Sequence, residues 1–182
     1  MELLIESKLG EWTLSKIDAI VYQRASSLCR KTGGRIMVAK RTAEVTWEND
    51  LLRGRGRVRF GSGALPETDV TWASRTEQPG GKTSPEELIA AAHASCYAMA
   101  LSATLAGNRT PPTRLTVKSI CTFDRIEEKW KITTMELTVK GVVPGLDSSK
   151  FEELARVAEG SCPVSNALRN NVEIRLNALL AE

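Results

Sequence analysis

The feature that most constrains the fold of this chain is an alanine-rich segment that opens with a helix-start signal and contains a cysteine. Residues 84–96 read SPEELIAAAHASC. Ser84 can cap the helix, Pro85 suits the first helical position because no N–H is needed there, and Glu87 completes a capping box. A glycine and an asparagine follow Ala106 as a C-terminal signal, so the sequence predicts one helix from Ser84 to about Ala106.

Small and apolar residues recur along this helix near helical spacing, which predicts a buried face and allows burial nearly all round. The residues of that face are Leu88, Ala91, Ala92, Ser95, Met99, Ser102 and Ala103. Cys96 lies in the same segment. It is either a buried core residue or a reactive thiol, and the helix alone does not decide between the two.

Composition excludes several classes of protein. The 182 residues suffice for one domain with a real core, and a net charge of +3 is too small to indicate nucleic-acid binding. We expect no membrane span, because no apolar run reaches about 18 residues. The N-terminal segment lacks the apolar core of a secretory signal, so a cytoplasmic protein is expected. Four separated cysteines and one histidine make no zinc pattern, and we expect neither a metal nor a cofactor.

The rest of the chain reads as short strands, turns and two further helices, which indicates an α+β fold. The predicted elements are a hairpin over 41–60, strands over 70–74, 115–123, 130–139 and 172–176, and helices from Ser148 or Ser149 and from Pro163. The apolar parity slips between Ile132 and Met135, which predicts a β-bulge.

Residues 1–38 differ from the rest and are predicted to be an N-terminal extension, with the folded domain over 39–182. Met37 precedes the first strand-like segment and is a candidate for the natural start of the domain. A short docked helix around residues 14–21 is the alternative, because its apolar spacing allows one.

Cys162 is the second cysteine with a distinctive context. It precedes Pro163 at an N-cap-like position, where the positive end of a helix would favour a thiolate. A buried packing residue is the competing interpretation. Cys96 and Cys162 could form a redox pair, but that is a spatial claim, which the sequence alone leaves open.

Two cysteine motifs together carry a family resemblance. Residues 84–102, SPEELIAAAHASCYAMALS, resemble the central motif of the OsmC/Ohr family of thiol peroxidases, and residues 160–168, GSCPVSNAL, resemble its second motif. The similarity continues through residues 43–47 and 143–147 and covers about 39–180 in matching order. The alanine–histidine context before the first cysteine is similar to the OsmC branch.

The resemblance implies an intertwined homodimer with antiparallel sheets packed around central helices. It implies reduction of organic hydroperoxides, and of hydrogen peroxide less well, with Cys96 as peroxidatic and Cys162 as resolving thiol. It also implies Arg75 beside the nucleophile and Glu86 as the residue that orients this arginine. A dithiol, such as a lipoyl-bearing protein, would be the reductant. Arg53, Arg55 and Arg57 are the alternative arginines, because the Ohr branch has its arginine in that earlier segment.

The spacing of the implied site residues adds a geometric constraint. Glu86 and Cys96 are ten residues apart, about 15 Å along an unbroken helix. Either the helix breaks near Ala90, or the acid and the thiol meet through the arginine or across a dimer. A reactive Cys96 is expected to titrate well below about 8.5.

Three further residues are candidates for a part in the thiol chemistry. His93 is one turn before Cys96, and we predict a structural histidine rather than a Cys–His nucleophile pair. Cys121 is predicted to be strand core, and Cys29 lies in the extension. A redox sensor and a small-ligand binding domain with inert thiols remain the alternative functions.

Overall fold

The computed structural model describes residues 39–181 of the chain, which form two three-stranded sheets and four helices. The elements in order are β1 (Ala43–Glu48), β2 (Arg55–Phe60), β3 (Thr68–Val70), α1 (Trp72–Thr76), α2 (Pro85–Gly107), β4 (Arg114–Ile126), β5 (Lys129–Val142), α3 (Ser148–Ser161), α4 (Pro163–Leu168) and β6 (Glu173–Leu180). The α+β prediction is confirmed. The predicted N-terminal extension, with Cys29, lies outside the described residues and stays a prediction.

The first sheet has the order β1–β2–β3 and contains the predicted hairpin. β1 and β2 pair antiparallel from Ala43 opposite Phe60. Asp50 closes the turn between them by accepting hydrogen bonds from the backbone N–H groups of Leu52 and Arg53. Every residue of β1 is exposed, so neither face of this strand is covered by the rest of residues 39–181.

The strand predicted over 70–74 is wrong beyond Val70. The chain turns there into the short helix α1, because Thr71 and Ser74 form a capping box in which each side chain accepts from the other's backbone N–H at 3.0 Å. Two hydroxyl residues at this spacing satisfy the helix start without the usual acidic partner. As a result Arg75 lies on a helix rather than at a strand end.

The second sheet has the order β4–β5–β6 and corrects the expectation of purely antiparallel sheets. β4 and β5 pair antiparallel, but β6 runs parallel to β5. The parallel pairing follows from α3 and α4, which form the crossover that a parallel connection requires. The predicted bulge is confirmed: Thr122 pairs with Thr134 but Phe123 pairs with Ile132, so Thr133 is the extra residue.

Helix α2 begins and ends where its capping residues predict. The Ser84 hydroxyl accepts from the Glu87 backbone N–H, and Asn108 is the C-cap. The reciprocal half of the predicted capping box is absent here, since the Glu87 carboxylate accepts from the Thr83 hydroxyl at 2.6 Å. The helix is continuous for 23 residues, so the alternative of a break near Ala90 is wrong.

The core lies between α2, α3 and the second sheet. Tyr97, Leu101 and Leu105 project from α2 and pack with Phe151 of α3 and with inward-facing residues of β5. The face that the sequence predicted to be buried is therefore the wrong one. The bulky residues take the side against the sheet, and the small-residue face, including Met99 at 67% exposure, points outward.

Helix α2 also corrects the expectation that no segment could span a membrane. By length and composition it is long and apolar enough, with 28% of its most apolar stretch buried within the described chain. The core helix of a soluble protein meets the same criteria, and α2 supplies core residues here, so this is weak evidence for a membrane segment.

Gly141 provides a test of this packing. A Cβ there would lie 2.5 Å from the ring of Phe151, which is fully buried and cannot move aside. We expect Gly141→Ala to lower the free energy of unfolding by about 1–3 kcal/mol in urea denaturation. Gly107→Ala is the matched control, because a Cβ there meets nothing within 4 Å. Equal stability of the two variants would contradict this account of the core.

Candidate active site

The two predicted redox cysteines are neighbours in the structure. Cys96 lies on α2 and is partly exposed, whereas Cys162 is fully buried at the junction of α3 and α4. Both thiols are free, and Cys162 acts directly on the titration of Cys96. The fold thus joins two sequence-distant thiols at the edge of the core, with one reachable from solvent.

The protonation of Cys96 differs from the sequence-based expectation. Burial raises the pKa of the Cys96 thiol, a hydrogen bond from the Val164 backbone lowers it, and a side-chain hydrogen bond with Cys162 raises it. The net direction is upward, so the expected low pKa is wrong for this arrangement. The expected low pKa required a cation beside Cys96, and no cation among residues 39–181 lowers the pKa of this thiol. Arg75 lowers the pKa of Cys121 instead.

Cys162 occupies the position before Pro163 that the sequence predicted, as the N-cap of α4. Its side chain makes no capping hydrogen bond, and α4 has only six residues. Its thiol instead belongs to the hydrophobic core. Its surroundings are therefore those of a buried packing residue. Its contact with Cys96 is what makes a redox role possible.

Arg75 and Glu86, the other two predicted site residues, form an ion pair. Arg75 donates from Nε and Nη2 to the same oxygen, Oε1 of Glu86, at 2.9 and 2.7 Å. Glu86 is 7% exposed, and its second oxygen has no hydrogen-bond partner among the described residues. A buried carboxylate is stable only when paired, so Glu86 fixes the arginine in its place. The alternative arginines Arg53, Arg55 and Arg57 lie on or just before β2, and all three are exposed.

The Arg75–Glu86 pair lies beside Cys121 rather than beside Cys96. Burial and the Glu86 charge raise the pKa of Cys121 to about 11, and Arg75 opposes that rise. Cys121 is only partly buried on β4, so it is a strand residue at the margin of the core. Because α2 is straight, Glu86 and Cys96 stay about 15 Å apart, and one chain does not unite the four predicted residues.

His93 has a structural role, as predicted. It is fully buried, and its Nε2 lies 2.8 Å from the Ser165 hydroxyl of α4. Burial lowers the pKa of His93, although the Glu159 charge opposes this, and the neutral ring suits a core position. The bond ties α2 to the helix that follows Cys162, so it helps to hold the two thiols together.

Comparison with known proteins supports the family resemblance. Residues 78–177 match the family described as OsmC-like protein. The chain belongs to the OsmC-like family. Its relatives include Peroxiredoxin OsmC of Escherichia coli (strain K12), which is 35% identical over 138 residues that cover 76% of this chain and 96% of the relative.

A second relative of this OsmC-like chain is the organic hydroperoxide resistance protein of Xanthomonas axonopodis pv. citri. The two are 33% identical over 98 residues, 53% of this chain and 67% of the relative. The fold matches the crystal structure of an organic hydroperoxide resistance protein from Elizabethkingia anophelis. That match has a TM-score of 0.65 at 24% identity and covers 81% of this chain and 100% of the other.

Sequence reasoning missed an aromatic group around the arginine of this OsmC-like chain. Trp72 and Phe123 lie against Arg75, whose Cζ is 3.9 Å from the Phe123 ring centroid, and Trp130 packs on both of these rings. The one available signal was that Phe123 and Cys121, two residues apart on β4, face the same side of the strand. Nothing in the sequence, however, indicated that three aromatic residues from three separate elements converge.

The charges beside Cys121 make a testable prediction about its alkylation by iodoacetamide. Only the thiolate reacts, so with a pKa of about 11 the rate should rise steeply above pH 10. Glu86→Gln removes the charge that disfavours the thiolate and should shift the profile to lower pH. Arg75→Ala should shift it to higher pH.

Peptide mass spectrometry would follow Cys121 separately from the other cysteines. Glu87→Gln is the matched control, because Glu87 is exposed and bonded to Thr83 instead. If Glu86→Gln and Glu87→Gln gave the same profile, the placement of the ion pair beside Cys121 would be wrong.

Proposed function

We propose that the chain is a thiol-dependent peroxidase that reduces organic hydroperoxides, and hydrogen peroxide less well. Cys96 is the peroxidatic residue and Cys162 the resolving residue. The observation that carries the proposal is the contact between two free thiols of which only Cys96 is open to solvent. Its named relatives, a peroxiredoxin and an organic hydroperoxide resistance protein, support the same reaction class.

The reaction has three balanced steps. The Cys96 thiolate attacks one peroxide oxygen, an S–O bond forms as the O–O bond breaks, and the alkoxide takes a proton to leave as an alcohol. The Cys162 thiol then attacks the sulfenic acid, so that an S–S bond forms and water leaves. An external dithiol restores both thiols by exchange and is itself oxidised to a disulfide.

The Arg75–Glu86 pair completes this site from a second copy of the chain. A single chain leaves Cys96 with a raised pKa and leaves the arginine paired with Glu86 at the N-terminal end of α2, away from this thiol. A cation brought to Cys96 by the other copy would favour the thiolate and stabilise charge developing on the peroxide oxygens. Glu86 anchors the arginine on that side of the chain through the two bonds to its Oε1.

Exposed apolar surface supports a homodimer. β1 is exposed throughout, including Trp47 at 40%, and the small-residue face of α2 with Met99 is uncovered. Small side chains let two helices approach closely, which suits α2 against the α2 of a second copy. The proposed dimer would cover apolar area that a monomer leaves in water.

The reductant and the compartment are proposed at a coarser level. Resolution by a buried thiol yields an internal disulfide, and a dithiol reduces such a bond more readily than a monothiol because its second thiol closes the exchange. A lipoylated protein is one such dithiol. Free thiols in a catalytic pair suit a reducing compartment, so we propose a cytoplasmic location.

Peroxide turnover tests the assignment of the two cysteines. With tert-butyl hydroperoxide and dihydrolipoamide, Cys96→Ser should abolish consumption, because the nucleophile is lost. Cys162→Ser should still form the sulfenic acid but lose most turnover with the dithiol. Cys121→Ser is the matched control, because Cys121 has no part in the proposed chemistry.

The alternatives give different outcomes in the same assay. A redox sensor would consume one equivalent of peroxide for each chain and stop despite excess dithiol. A binding domain with inert thiols would show equal slow consumption for the wild type and for Cys96→Ser. Either result would overturn the proposed peroxidase.

Mixing two inactive variants tests whether the site is shared between copies. In a dimer of one Arg75→Ala chain and one Cys96→Ser chain, one site regains both Cys96 and Arg75. Random pairing should then restore about a quarter of wild-type activity. The control mixes Arg75→Ala chains with chains that carry both substitutions, which rebuilds no site. Absence of recovery in differentially tagged, purified mixed dimers would exclude a site of this kind.

A further inference from the structure

The ion pair by itself does not fix the plane of the Arg75 guanidinium. Both of its bonds end on one oxygen, Oε1 of Glu86, instead of forming a fork on two oxygens. A paired, two-oxygen contact is what gives an arginine–carboxylate pair its fixed geometry. A contact on a single oxygen leaves the guanidinium able to pivot, so its orientation needs a further constraint.

Aromatic rings supply that constraint. The Arg75 Cζ lies 3.9 Å from the centroid of Phe123 and 5.8 Å from that of Trp72. Phe123 stacks on Trp130 with centroids 4.9 Å apart and an interplanar angle of 12°. Trp72 stands edge-on to both rings, at 84° to Phe123 and 83° to Trp130. The three rings therefore brace one another, and the face of Phe123 meets the cation.

The β-bulge of the second sheet makes this arrangement possible. With Thr133 as the extra residue, Ile132 faces Phe123 and Trp130 faces Arg125 across the two strands. Trp130 and Phe123 consequently share one face of the sheet, as diagonal neighbours. If Thr133 were instead kept in regular alternation, with no bulge, Trp130 and Met135 would be five positions apart and would lie on opposite faces, and the present pairing with Phe123 would be lost.

Core packing does not explain these rings. Trp130 is 47% exposed and Phe123 is only partly buried, so neither belongs to the buried cluster around Tyr97. A large aromatic residue left in water at the end of a strand contributes little to the core. Trp130 stacks on Phe123 and meets Trp72 edge-on, and through Phe123 it supports the surroundings of the arginine.

We propose that Phe123, braced by Trp72 and Trp130, is a positioning residue for Arg75. It holds the guanidinium in the plane needed to meet the peroxide bound at Cys96 of the second copy. We call the three rings the aromatic clamp. The clamp rests on the proposed peroxidase function and deepens it. It leaves Nη1 of Arg75, which makes no bond to Glu86, as the group free to address substrate.

Kinetics of ring-deleting variants test the clamp. Phe123→Leu removes the ring face but keeps an apolar side chain, and a cation–π contact of this kind corresponds to a loss of about 3- to 30-fold in kcat/KM. Phe123→Tyr keeps the ring and should recover most of that loss. Trp130→Leu should give a smaller loss, because it acts only through the brace.

A double-mutant comparison separates positioning from other roles. If Phe123 acts by orienting the planar guanidinium, then Phe123→Leu should add little further loss to Arg75→Lys, which keeps the charge but has no plane to orient. An equal loss in both backgrounds would mean that the ring contacts substrate or supports the fold, and the clamp would be wrong. The proposed function fails separately, namely if Cys96→Ser leaves peroxide consumption unchanged.

Nuclear magnetic resonance gives a readout that needs no activity. The Nε–H signal of Arg75, assigned by its disappearance in Arg75→Lys, should be shifted upfield by the Phe123 ring. Phe123→Leu should return it toward the position of the exposed arginines, and Phe123→Tyr should not. A signal unaffected by Phe123→Leu would overturn the clamp even if the enzyme is a peroxidase.

Discussion

The straightness of α2 is the constraint on which the rest of the structure depends. A helix continuous over 23 residues separates its N-terminal carboxylate, Glu86, from its mid-helix thiol, Cys96, by a fixed length. No rotamer change closes such a gap. The described chain therefore separates its thiol pair, Cys96 and Cys162, from the arginine that pairs with Glu86 at the N-terminal end of the helix.

The packing of α2 decides which of its faces is buried in the core. Its bulky residues, such as Tyr97 and Leu101, turn toward the second sheet and α3, and the Tyr97 hydroxyl donates to the Ala155 carbonyl at 3.1 Å. The small residues remain outside. One helix thus supplies the core and, within residues 39–181, leaves a second face of small side chains exposed. The thiol lies between these two faces.

Helix ends and the β-bulge were predictable from sequence, because neighbouring residues determine them. The packing of distant segments against one another was not. The bounds of α2 followed from Ser84 and Asn108, and the bulge followed from the slip of parity before Met135. The buried face of α2 could not be read, because a helix that is apolar all round has no preferred side until its neighbours are placed. The parallel pairing of β6 was missed for a similar reason: alternation in a strand does not reveal the direction of its partner.

The same division holds for the site. Motifs indicated both thiols, but the raised pKa of Cys96 depends on its burial and on its contact with Cys162, which only the fold determines. The short helix that presents Arg75 was missed because Thr71 and Ser74 cap it with hydroxyls alone.

The bulge at Thr133 also divides β5 into two regions under different demands. Beyond it, Met135, Leu137 and Val139 are sealed in the core, where any change of volume costs stability. Before it, the strand extends past the core and bears Trp130. Substitutions there can alter the surroundings of the arginine at little cost to folding. This strand end can therefore vary in sequence while the scaffold that joins the two thiols stays unchanged.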